Sequence, residues 1–244
     1  MLCETATATR RGDRDTNQDR CAVRSRESGI LLLLADGMGG HPRGELAAQT
    51  YIDSLLLAFE QADWPINNPA LFLTAAMTRA HTDIIAAGHC EQPPVSPMTT
   101  GVACLVQAHQ ACWAHVGDSR LYLFRKDSLL VRTRDHSLVQ EAIDRGEWPE
   151  AEREQHPLRN VVTRALGGDT QAPDIEHPET TTLQPGDTLL LCSDGLWSAL
   201  AEDQLAELAS VPDLTQAVQD MALAAEQASR PYSDNVTLVA GRMR

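Results

Sequence analysis

The chain predicts an α+β fold of mainly antiparallel strands with helices packed outside. Strand-like apolar runs and amphipathic helical stretches come in blocks rather than in the alternation that βαβ units require. Short turns built on Gly, Asp or Pro also punctuate the runs, as in "VGDSR" at 116–120 and "QPGDT" at 184–188.

Strand patterns open the chain around 19–24 and 30–35, the second reading "ILLLLA". A helix follows over 44–62, with Leu46, Ala47, Tyr51, Leu55 and Phe59 repeating on one face. A second helix begins at "NNPALFL", where Asn68 caps and Pro69 takes the first helical position. Strands return at 101–108, 111–116 and 120–125, and the turn "GDSR" makes "CWAHVGDSRLYLFR" a hairpin candidate. A Pro-Gly turn opens another strand at 188–192. Helices are expected at 200–209 and 213–229, and "NVTLVAGRM" closes the chain as a strand. No linker is long enough to divide the 244 residues, so one domain over 1–244 is expected. The stretch 137–163, charged and broken by "RGEWPEAEREQHP", reads as a flap on that core.

The formal net charge is -14, with acids and bases interspersed. That balance disfavours phosphate-backbone binding, so no nucleic acid partner is expected, and it disfavours anionic lipid surfaces as well. No apolar stretch approaches the roughly 20 residues of a membrane span, and the polar first twenty residues lack a signal-peptide core. The six cysteines show no CxxC spacing and mostly sit in apolar runs, as reduced core side chains do. A cytoplasmic monomer is the expectation.

Five acids stand at the rims of apolar runs: Asp19, Asp36, Asp118, Asp194 and Asp234. Any one alone is ordinary turn chemistry. Strands of one sheet system can, however, bring their ends together, and clustered carboxylates repel unless a cation sits among them. Oxygen donors without neighbouring His or Cys suit Mg²⁺ or Mn²⁺. Glycine after Asp36 lets backbone approach, so the Gly37 carbonyl joins the candidate donors, while Gly39 and Gly40 leave room for a ligand. "DGMGGH" is neither a dinucleotide fingerprint nor a P-loop. Two metals in such a cluster suit hydrolytic phosphate chemistry. Arg14 is the candidate phosphate-holding fork, with a solvated surface arginine as the alternative.

An ordered series of motifs then resembles a known family. "RDTNQD" (14–19), "ADGMGGHPRGE" (35–45), "TTGV" (99–102), "VGDSRLYLFR" (116–125), "RDHS" (134–137), "NVVTRALGG" (160–168), "LLCSDGLW" (190–197) and "SDNVTLV" (233–239) run through nearly the whole chain. Together they resemble the metal-dependent PP2C-type (PPM) Ser/Thr protein phosphatases in their compact bacterial form.

The resemblance implies a four-layer αββα sandwich, two antiparallel sheets flanked by helix pairs, with the metal centre at one end. It implies that Asp36 bridges two Mn²⁺ or Mg²⁺ ions, that the Gly37 carbonyl ligates one and that Asp194 and Asp234 ligate the other. Asp19 resembles the acid that holds a metal-bound water, and Asp118 with Asp194 resembles the pair for a third ion. Asn235 resembles a neighbour that orients the site, and Arg14 the phosphate-binding arginine. The implied reaction is in-line attack of a metal-activated water on phosphoserine or phosphothreonine proteins, without a covalent intermediate. Those substrates would be products of a cognate Ser/Thr kinase. His41 is the candidate general acid. Eukaryotic members place their histidine where this chain has Met38, so His41 as loop support, or a proton from water, remain alternatives.

Overall fold

The computed structural model describes residues 3–27, 29–38, 43–168, 171–175 and 179–244. In chain order the described elements begin with strands β1 (Cys3–Arg10), β2 (Arg20–Arg26) and β3 (Gly29–Ala35), then helices α1 (Gly44–Gln61) and α2 (Pro69–Cys90). Strands β4 (Met98–Thr99), β5 (Gly101–Gln107), β6 (Gln110–Val116), β7 (Arg120–Arg125) and β8 (Ser128–Arg132) follow. Helix α3 (Leu138–Asp144) and a 3-10 turn (Glu150–Gln155) lead to β9 (Leu166–Gly167), β10 (Glu179–Thr182) and β11 (Thr188–Cys192). Helices α4 (Asp194–Trp197), α5 (Glu202–Ala206) and α6 (Leu214–Ala228) precede β12 (Val236–Met243).

The strands form two antiparallel sheets, ordered β1-β12-β11-β7-β8 and β10-β6-β5-β3-β2, beside a short β4–β9 ribbon. Strand β3 shows why its sequence is a continuous apolar run. Leu32 and Leu34 face the other sheet, packing with Leu121, Leu189, Leu191 and Val239. Leu31, Leu33 and Ala35 face the helices, against Tyr51, Leu55, Phe59, Met77 and Ile84. A strand covered on both faces cannot alternate apolar with polar. On the far side Tyr122, Phe124, Leu190 and Leu238 pack on Leu205, Val218 and Ala222. Helix, sheet, sheet and helix thus stack as four layers, the α+β sandwich expected. Its second helical layer is α6 with the short α4 and α5 rather than two long helices.

Helix α2 starts as its sequence dictates: the Asn68 side chain accepts from the Leu71 amide at 3.0 Å, with Pro69 at the first position. The expected hairpin at 112–125 does not form. Strand β6 pairs with β5 and β10, whereas β7 pairs with β11 and β8, so the turn carries the chain from one sheet to the other. Gly117 makes that crossing with φ of +103°, a conformation that disfavours side chains. The crossover places Asp118 at the seam between the sheets, at the same end as the tips of β3 and β11.

Candidate metal and phosphate site

The five acids of the sequence pattern meet at that end of the sandwich. Asp36 follows β3, whose Leu31–Ala35 run is wholly inaccessible, so its backbone is held rigidly. Two threonines fix it further. The Asp36 amide donates to Thr100 Oγ1 at 3.0 Å, and Thr99 Oγ1 donates to the Asp36 carbonyl at 2.8 Å. Thr100 and Ser119 hydroxyls lie 2.7 Å apart, joining the β3 tip to the turn that carries Asp118. Gly37 lies so close to the next segment that an added Cβ would stand 2.4 Å from the Gly44 carbonyl oxygen. Only glycine fits there.

Asp19 is buried at the start of β2, and its Oδ2 accepts from Ser193 Oγ at 2.9 Å. Ser193 in turn accepts from the Thr237 amide at 3.0 Å, locking the β11 tip to β12. The other oxygen of Asp19, Oδ1, is buried without a hydrogen-bond partner. A buried carboxylate oxygen left unpaired is costly, and an ion among the carboxylates would satisfy it.

The electrostatics point the same way. Burial pushes the Asp19 carboxyl up to about 6, against the pull of the Thr237 and Ser193 hydroxyls. Burial and the charge of Asp135 push Asp118 up to about 7. Burial first, then the surrounding carboxylates, hold Asp36 and Asp194 well above the usual range. Among the described residues no three acidic, histidine or cysteine side chains converge as a preformed metal site. Asp36 lies close enough to Asp19 and Asp194 for each carboxylate to make ionising the others harder. Such packing holds together only with protons or a cation in place. The oxygen-only donor set fits Mg²⁺ or Mn²⁺.

Asp234 is more open, and Arg14 Nη2 donates to its Oδ2 at 2.6 Å. Asn235 organises the loop that brings Arg14 there. Its Oδ1 accepts from the Gln18 amide at 2.8 Å, and its Nδ2 donates to the carbonyls of Arg11 and Thr16 at 2.8 and 3.0 Å. A cleft of about 610 Å³ opens over this floor. Asp36, Gly37, Asp118, Asp194 and Asp234 line it, with Arg14 on its lip. Asn160, Val161 and Val162 from the flap region form the facing wall.

Each predicted acid, with Gly37, Arg14 and Asn235, is therefore beside one cleft or in its floor. His41, Gly39 and Gly40 lie outside the described residues. Thr99, Thr100, Ser193 and 160–162 fall inside motifs quoted above, but the sequence assigns them no role of their own. The pair "TT" before an apolar strand was visible, but its hydrogen bonds to a strand some 64 positions away were not.

A double antiparallel sheet with a carboxylate-floored cleft at one end defines an architectural class, and comparison narrows it to a family. The family sequence profile described as Protein phosphatase 2C matches residues 8–236, and the chain belongs to that family. It is 36% identical over 210 residues to the serine/threonine protein phosphatase PstP of Mycobacterium tuberculosis, covering 86% of this chain. The chain spans only 39% of that relative's length. The S. agalactiae serine/threonine phosphatase superposes with a TM-score of 0.89 at 26% identity, covering 100% of both chains. A PstP catalytic domain in complex with two manganese ions superposes with a TM-score of 0.82 at 30% identity, over 98% of this chain and 97% of that one.

Proposed function

We propose that the protein is a Mn²⁺- or Mg²⁺-dependent serine/threonine phosphoprotein phosphatase. The observation that carries this is the buried carboxylate floor, with an unpaired Asp19 oxygen, beneath a cleft that has an arginine on its lip. The manganese in a structurally similar phosphatase domain supports the choice of ion.

Asp36 and the Gly37 carbonyl, with Asp194 and Asp234, would hold two ions, Asp19 would complete the set, and Asp118 with Asp194 would serve a third. Ions bound there would supply an activated water for in-line attack and would screen the phosphoryl charge. The chain's own groups do the rest. The Arg14 guanidinium, now on Asp234, presents its remaining donors to phosphate oxygens as a planar fork. Asn235 holds the 11–18 loop so that this fork stays over the floor. The Thr99 and Thr100 hydroxyls hold the Asp36 backbone, and so the place from which its carboxylate would reach an ion. His41 is proposed to protonate the departing Ser or Thr oxygen, since imidazole titrates near neutrality. Phosphoserine and phosphothreonine proteins made by a partner kinase are the proposed substrates.

The test is hydrolysis of a phosphothreonine peptide by the purified chain with Mn²⁺ and with EDTA. Turnover only with the metal is expected. Undiminished turnover in EDTA, or action on nucleotides but not on phosphopeptides, overturns the assignment.

A further inference from the structure

The flap is fastened to the body by one deeply buried arginine, and the acceptors of that arginine come from three separate segments. Arg153, on the 3-10 turn, is only 7% exposed in its side chain. Its Nη1 donates to Asp135 Oδ2 at 3.1 Å, on the body side of the flap. Its Nη2 donates to Gln140 Oε1 on α3 and to Glu150 Oε2 at 3.0 Å, and its Nε reaches Glu150 Oε1 at 3.1 Å. Asp135 is itself held from the sandwich, accepting two parallel bonds of 2.7 Å from Arg120. The Arg120 guanidinium lies 3.6 Å from the Trp197 ring centroid, so the chain of contacts ends in the rigid body.

The remaining ties are weaker or local. At the base, Leu138 N donates to Val161 O at 3.0 Å and Thr163 N to His136 O at 2.8 Å. Further out, Arg132 meets Glu150 at 3.5 Å and Arg134 pairs with Asp144 on α3, all four side chains being partly solvent-accessible. Trp148 packs edge-on to His156, but both belong to the flap. Among the described residues, Arg153 is thus the one buried charge joining α3, the 3-10 turn and the body. A buried guanidinium needs its full set of acceptors, so it permits one docked position rather than a range.

That position bears on the approach to the cleft, because Arg153 itself, with Arg159 and Asn160, lines an adjoining pocket that shares Arg14, Asp118, Asp194 and Asp234 with the floor. We propose that Arg153 is a positioning residue: with its donors taken up by Asp135, Gln140 and Glu150, it fixes the 3-10 turn and so sets the flap side of that pocket, past which a protein substrate must lie. This rests on the phosphatase reading above. A long substrate feels that side, whereas a small aryl phosphate that reaches only the floor does not.

The experiment compares wild type with Arg153→Ala and Arg153→Lys on a phosphothreonine peptide and on p-nitrophenyl phosphate, together with hydrogen exchange of residues 138–162. In Arg153→Ala, KM for the peptide should rise about tenfold, a modest part of what misplacement costs. kcat/KM for p-nitrophenyl phosphate should stay within about twofold, and exchange should quicken in 138–162 alone. Arg153→Lys keeps the charge but loses the fork, so it should fall between the two. An unchanged peptide KM, equal losses on both substrates, or unaltered exchange in the flap overturns the proposal. If Arg153→Ala does not fold, the same criteria apply to Arg153→Lys. The exchange measurement needs no activity, so an inactive wild type would refute the phosphatase reading while leaving the flap anchor to be judged by itself.

Discussion

Asp19 and Ser193, 174 residues apart in the chain, meet through a 2.9 Å hydrogen bond that satisfies one carboxylate oxygen and leaves the other buried and unpaired. That half-satisfied acid, close to Asp36, Asp194 and Asp234, makes the metal-free fold bear an uncompensated charge problem.

The pH dependence of metal-free stability follows with a definite sign. Asp19 and Asp118 have folded-state pKa values raised to about 6 and about 7, above their unfolded value of 3.8. A raised acid binds more protons when folded, so its favourable contribution is present at low pH and fades as pH climbs from about 4 to about 7. Thermal melts in EDTA should show a lower Tm at pH 8 than at pH 5.5. Saturating Mn²⁺ at pH 8 should raise Tm, by about 2.7 kcal/mol of stability at one hundred times Kd. A metal-free Tm that rises steadily from pH 5.5 to 8 would contradict the cluster's electrostatics.

Replacing Asp36 with Asn keeps the shape and removes one charge. Activity should fall by at least ~10²-fold, on the scale of losing a key electrostatic group. The metal-free variant should nevertheless melt higher than wild type at pH 8, because repulsion with Asp19 and Asp194 is relieved. The same opposition is expected for Asp194→Asn. Kinetics and calorimetry on the same preparation check it, and a variant that loses stability along with activity would point to a merely structural acid.

Arg14 is half exposed and touches only Asp234 among the acids. Arg14→Ala should therefore leave the fold intact and raise KM about tenfold for p-nitrophenyl phosphate, with a smaller effect on kcat. Inorganic phosphate should inhibit the variant less well in the same assay. Equal inhibition of both proteins would remove Arg14 from the phosphate site.

Asn235 makes three hydrogen bonds to the backbone of the 11–18 loop. Asn235→Ala leaves the Gln18 amide without its acceptor and should cost about 1–3 kcal/mol in denaturant unfolding. It should also raise KM, since the loop carries Arg14. Leucine in place of Asn235 should do no better, because volume does not replace the donors.

Much of this was legible in the chain because local rules decided it. The double-sided burial of β3 was written as "ILLLLA", the α2 start as "NNP", and the rim acids as residues closing apolar runs. What sequence could not give was partnership across the sandwich. Strands β6 and β7 are both almost wholly buried, so their patterns say nothing about which sheet each joins, and the "GDSR" turn looked like a hairpin. Strand β1, "CETATATR", escaped notice because small and polar residues carry little apolar signal. The flap reads from sequence only as a charged, broken segment on the core, yet Arg153 within it is buried, and its acceptors lie up to 18 positions away. The Ser193 and Asn235 bonds span most of the chain, beyond any local pattern.

The most direct test of the central claim is calorimetric titration of Mn²⁺ into the metal-free protein, with Asp36→Asn as its partner. The wild-type chain should bind about two ions tightly and release protons from the carboxylates on binding, and the variant should lose at least one ion. No saturable binding by wild type, or identical stoichiometry and affinity in Asp36→Asn, would contradict that claim.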